Sequence, residues 1–189
     1  MTVKKSDKIS KIQEWLLDWE SDSIVCQYGA LLLELLPLDI VHMHDQNWWH
    51  QFMINRLTYI QDAVKKGAGI WIHAPAKTQV NQAWALDIVY PDADKLFFTV
   101  QTLIRDCDLR VTVSLHPMLS LQCDSNHTIT AIERPQTSSN TVMSSVYIEF
   151  ERLPDTMTVE ELHARITMHM TAVQLSHHSQ ASIAQRVSD

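Results

Sequence analysis

The apolar residues of this chain change their period at Gly69, and that change decides what it can fold into. Before it they recur every three or four positions; after it they alternate. Ile9, Ile12, Leu16 and Trp19 follow Ser6, a candidate N-cap. Ile24, Tyr28, Leu31, Leu32 and Leu35 predict a second helix, which Pro37 ends or kinks. Asp45 can cap a third helix carrying Trp49, Phe52, Met53, Leu57, Ile60 and Val64. Lys65 and Lys66 suit the negative end of that helix dipole, and Gly67 suits the position just past its end. Helices with one apolar stripe each need a partner surface.

Residues 70–73 predict a short strand stopped by Pro75. Trp84, Leu86, Ile88 and Tyr90 alternate with Ala85, Asp87 and Val89, which predicts a half-buried strand. Leu96, Phe97, Val100, Leu103 and Ile104 form a helical stripe. Leu109, Val111, Val113 and Leu115 predict a strand, with the turn Asp124-Ser125-Asn126 sending residues 127–132 back as its hairpin partner. Residues 135–140 form a polar loop, and Val146, Ile148 and Phe150 alternate on a further strand. Thr158 and Glu161 have the spacing of a capping box, ahead of a helix placing Val159, Leu162, Ile166, Met170 and Val173 on one face.

The order strand, helix, strand, strand, strand, helix predicts an α+β fold. A helical N-terminal segment precedes a ferredoxin-like antiparallel sheet with two helices on one face. The expected division is a helical subdomain over 1–68, the α+β domain over 69–176, and a disordered tail over 177–189, where Ser, His and Gln replace apolar anchors. No alternating strand follows the last helix, so the closing edge strand is expected to be missing, irregular or supplied by a neighbour.

Composition narrows the function. With 15 basic against 22 acidic residues, a net charge of −7 disfavours nucleic-acid binding. Three glycines cannot spell a dinucleotide or phosphate-loop motif, so no nucleotide cofactor is expected in this chain. Three cysteines without a CxxC pair fit a reducing compartment. The apolar runs are too short to span a bilayer and the first residues lack a signal-peptide pattern. A soluble cytoplasmic protein is expected, with no membrane partner.

Residues 88–124, IVYPDADKLFFTVQTLIRDCDLRVTVSLHPMLSLQCD, carry a resemblance. A strand runs through a turn into a helix, then a strand ends in His116-Pro117. Downstream, Ser144-Ser145-Val146-Tyr147-Ile148-Glu149-Phe150-Glu151-Arg152 has the pattern Ser-x-x-x-Ile-Glu-hydrophobic-acid-Arg, and upstream stands Trp71-Ile72-His73-Ala74-Pro75. This resembles the N-terminal ACT-like region of the large NAD-specific glutamate dehydrogenases of bacteria. The likeness spans residues 15–175 and is closest at 84–124 and 144–152. Ala93-Asp94-Lys95 stands where that family has Met-Pro-Phe, and Phe98-Thr99 where it has Asp-Ser.

The resemblance implies a non-catalytic regulatory or assembly module. Its partners would be the remainder of the dehydrogenase or copies of itself in a homo-oligomer. NAD and the oxidative deamination of L-glutamate would belong to the full-length enzyme. ACT domains commonly hold amino-acid effectors between the first strand and first helix, which here makes Tyr90, Asp92, Asp94 and His116 the candidate effector-binding residues. A helix start offers free amides to a carboxylate, although Asp92 or Asp94 can satisfy them instead. His116 can contact a ligand or a neighbouring subunit, or Pro117 can simply fix an edge or bulge. A ligand-free, stand-alone interaction module is the alternative.

Other constellations are weaker. His42, His44, Asp45 and His50 lie close in sequence, but cap and surface roles explain them better than metal, so no metal is expected. Cys107 follows Asp106 at a helix end, a setting that does not activate a thiol. Trp48 and Trp49 cannot share one helix face, so one of them is expected to meet a partner or solvent.

Overall fold

A computed structural model describes residues 14–16, 18–19, 23–42, 44–74, 83–93, 95–135 and 141–188. Helices α1 (Ile24–Leu35), α2 (Leu38–His42) and α3 (Gln46–Lys66) precede strands β1 (Gly69–His73) and β2 (Trp84–Pro91). Helix α4 (Leu96–Asp106) follows, then β3 (Val111–Leu115), β4 (Met118–Cys123), β5 (Ile129–Glu133), β6 (Thr141–Phe150) and α5 (Val159–Ser188). The fold is α+β, with a six-stranded antiparallel sheet and an N-terminal helical segment. Among the described residues no helix is long and apolar enough to cross a membrane.

Local chemistry sets the ends of these elements. The Ser23 hydroxyl accepts the Cys26 amide at 3.1 Å and caps α1, a signal not read from the sequence. Asp45 accepts the Trp48 amide at 2.8 Å and caps α3, whose far end closes on Gly67 at φ 88°. The capping box before α5 is reciprocal: Glu161 Oε2 accepts the Thr158 amide, and Thr158 Oγ1 accepts the Glu161 amide. Thr158→Ala removes one of those two bonds. The expected cost is about 1 kcal/mol, read as a lower urea midpoint at unchanged slope.

The strands run in the order β1-β2-β6-β4-β5, with β3 also paired to β6. Strands β3 and β4 follow one another along β6, Leu115 opposite Tyr147 and Met118 opposite Ser144. His116-Pro117 separates them, because proline cannot donate to the ladder. The Pro117 carbonyl still accepts the Ser145 amide at 3.0 Å. The hairpin partner of β5 is therefore β4, not the strand before His116.

The edge expected to be open is filled from upstream. Strand β1 pairs antiparallel with β2, Gly69 opposite Val89 through His73 opposite Ala85. It occupies the side of β2 that the closing strand of a βαββαβ unit would take. At the other edge, Gln61 Oε1 accepts the Ile129 amide at 2.9 Å and Gln27 Oε1 accepts the Ile132 amide at 2.8 Å. Side chains from α3 and α1 thus tie down donors that an edge strand would otherwise present.

Both faces of the sheet are covered. On one, Leu86, Ile88, Val146, Ile148 and Phe150 meet Leu96, Val100, Leu103 and Ile104 of α4 and Leu162, Ile166 and Met170 of α5. On the other, Val89, Leu119, Leu121, Met143 and Tyr147 meet Tyr28, Leu32 and Leu33 of α1 and Trp49, Met53 and Ile60 of α3. Helices α1 and α3 therefore share a core with the sheet. Beyond residue 176 the expected tail is corrected: α5 continues as helix to Ser188. No Gly or Pro follows Pro154, so nothing in the backbone stops the ladder once it has started.

Candidate functional site

Three of the four candidate effector residues meet at one end of the sheet. Tyr90 stands opposite Ser144 in the β2–β6 register. His116 Nε2 shares a hydrogen bond with Ser144 Oγ, and its ring stacks on Phe97 of α4 with centroids 4.4 Å apart and planes 16° apart. Burial pushes the His116 pKa below the ordinary histidine value, while the nearby Asp92 carboxylate opposes that shift. Asp92 is exposed, and its amide donates to the Val142 carbonyl at 3.0 Å. Asp94 lies outside the described residues. The Gln174 amide of α5 donates to the Pro91 carbonyl at 2.8 Å and ties that helix to the same end.

Helix α4 does not begin on Asp92. Its N-cap is Lys95, in the left-handed region at φ 66°, and that side chain makes no cap hydrogen bond. The His116–Ser144 pair is not an open nucleophile. Ser144 is fully buried, and its hydroxyl also lies 3.7 Å from Met118 Sδ.

On the opposite face, α3 drops a charge into the core. Arg56 is 2% exposed and Asp87 of β2 is 3% exposed. Arg56 Nη1 donates to Asp87 Oδ1, Nε donates to the Tyr28 hydroxyl at 2.8 Å, and Nη2 reaches Ser145 Oγ at 3.3 Å. The guanidinium also lies 4.5 Å from the Tyr147 ring centroid and 5.6 Å from that of Phe52. Burial alone would favour neutral Arg56, but Asp87, then Tyr28, outweigh it and hold the guanidinium charged. Burial likewise keeps Tyr28 protonated against the pull of Arg56. His73 Nε2 lies 3.3 Å from Asp87 Oδ2 without hydrogen-bond geometry, and His73 stacks on Tyr59.

Beside this network a cleft of about 520 Å³ opens between the helices and the sheet. Leu36, Ile40, Val113 and Leu115 contribute apolar walls, and Trp48, Trp49, Phe52 and Tyr147 contribute ring surface. Phe52 stacks on Trp48 at 5.1 Å and 15°, and Tyr147 meets Phe52 edge-on at 84°. His44 also stacks on Trp48, at 3.6 Å. Glu149 and Glu151, from the same face of the chain as Tyr147, reach the cleft rim. The Tyr147 hydroxyl donates to Glu149 Oε1. Burial first, then that carboxylate, raises the Tyr147 pKa well above its ordinary value.

The sequence missed both the Arg56 network and the cleft. One signal was present: Arg56 falls on the α3 stripe between Met53 and Ile60, where an apolar residue is expected. Of the histidines weighed for metal, His44 stacks on Trp48 and His50 lies against Trp19 at 5.1 Å. Among the described residues no group of three or more His, Cys, Asp or Glu side chains is arranged to hold a metal ion. Cys26 and Cys107 are buried, and Cys123, at the end of β4, is exposed with its pKa raised by burial and by Asp124. No family model, curated protein or solved structure matches the chain.

Proposed function

We propose that this chain is a non-catalytic regulatory or assembly module of the ACT-like kind, as its resemblance to the N-terminal region of the large NAD-specific glutamate dehydrogenases implies. On this reading NAD and the deamination of L-glutamate belong to the rest of the enzyme or to a partner chain in the cytoplasm. The observation that supports it best is the sheet itself. Strands β2, β3 and β6 lie side by side with α4 and α5 on one face and β1 at the edge of β2, an arrangement compatible with a unit of that kind. Tyr90, Asp92 and His116 gather where β2 turns into α4. An amino acid bound there would bias the assembly state through a difference in affinity between states.

Titration calorimetry of the full chain against the twenty L-amino acids tests this. One of them is expected to bind with a Kd of about 1 mM or tighter, weakened at least about tenfold in His116→Ala. Silence across the panel sinks the sensory role. Self-association under the same conditions would then support the ligand-free alternative. Exposed Phe98 on α4 and Met168 and Leu175 on α5 favour that alternative.

A further inference from the structure

We propose that the cleft between the N-terminal helices and the sheet binds a small organic amine, a molecule with an apolar or aromatic body and a protonated nitrogen. This site is independent of the amino-acid site proposed above and lies on the other face of the sheet.

The charge balance points to a cation. Arg56 and Asp87 neutralise each other behind the Phe52 and Tyr147 rings. Among the described residues, the charged side chains that line the cleft are two carboxylates, Glu149 and Glu151. Among the described residues Glu151 forms a long ion pair to Arg110, 3.9 Å apart, with both side chains exposed. Glu149 is bonded by a neutral donor, the Tyr147 hydroxyl, which orients the carboxylate without cancelling its charge. Partial burial pushes the His44 pKa below the ordinary histidine value against the pull of Glu149 and Asp45, which favours the uncharged ring.

Shape points to the body of the ligand. About 520 Å³ is the size of an ordinary small-molecule pocket. Leu36, Ile40, Val113 and Leu115 reward an apolar group, and the edge-on rings of Trp49 and Phe52, 5.5 Å apart at 82°, offer walls in two planes. The nitrogen then lies against Glu149, in a charge-assisted hydrogen bond inside a partly dry site. An acid of the same shape meets the same carboxylates and is repelled.

Two pairs of probes, alike in body and opposite in charge, separate these effects: tryptamine with indole-3-acetate, and phenethylamine with phenylacetate. Titration calorimetry of the full chain is expected to show binding of at least one amine, with its acid partner at least about tenfold weaker. Glu149→Gln keeps an acceptor for Tyr147 and should weaken the amine about tenfold. Glu151→Gln, at an exposed position, should weaken it less and guards against a folding artefact. His116→Ala should leave amine binding unchanged, so failure of the sheet-end reading does not touch this one. Equal binding of amine and acid, no binding of either amine, or full amine affinity in both glutamine variants would overturn the proposal.

Discussion

Replacing Asp87 with alanine is expected to cost about 3–5 kcal/mol, the range for breaking a buried ion pair by removing one partner. Asp87 is 3% exposed and accepts from Arg56, itself 2% exposed. Arginine cannot shed its proton, so the variant leaves a guanidinium in the core with the Tyr28 and Ser145 hydroxyls and the Tyr147 and Phe52 rings around it but no carboxylate on it. Against a total stability of about 5–15 kcal/mol, that loss takes the protein close to unfolding. Urea denaturation at constant slope measures it. The double replacement Arg56→Met with Asp87→Leu should recover most of the loss, because it removes both desolvated charges together. A single-variant loss under about 1 kcal/mol would mean that water reaches Arg56.

The second large effect sits on the other face. Phe150→Ala is expected to cost about 3–5 kcal/mol, through lost burial and the cavity left behind. Phe150 is fully buried opposite Trp84 on β2, with ring centroids 6.2 Å apart, in the cluster that holds α4 and α5 on the sheet. Phe98→Ala on α4 is the control. That ring is 67% exposed, so its removal should stay within about 0.5 kcal/mol. Both denaturation curves should show one transition, because the two cores share one sheet and β2 and β6 contribute to each. Separate transitions for the helices and the sheet would contradict that shared core.

Where the chain could be read correctly, the forces were local. Caps at Asp45 and Thr158, the stop at Gly67 and the break at Pro37 each involve residues within one turn of one another. The alternation of Leu86, Ile88, Val146, Ile148 and Phe150 gave one sheet face directly. Its complement misled. Asp87 reads as the polar side of a half-exposed strand, yet the N-terminal helices cover that side and bury it. The last helix outran its apolar stripe for the opposite reason: a helical backbone satisfies its own hydrogen bonds and needs no buried face to continue.

By itself the sequence determined the α+β class and most of the element types, though not β4, α2 or the far half of α5, because spacing and capping are short-range. Tertiary structure decided which strand completes the sheet beside β2, what covers its second face, and where the two carboxylates of the cleft come to rest. Each of those depends on partners far apart in the chain. Arg56 finds Asp87 thirty-one residues on and Ser145 eighty-nine residues on, a pairing that no local period encodes. A charge placed on a helix's apolar stripe is tolerable only once such partners have been folded into place around it.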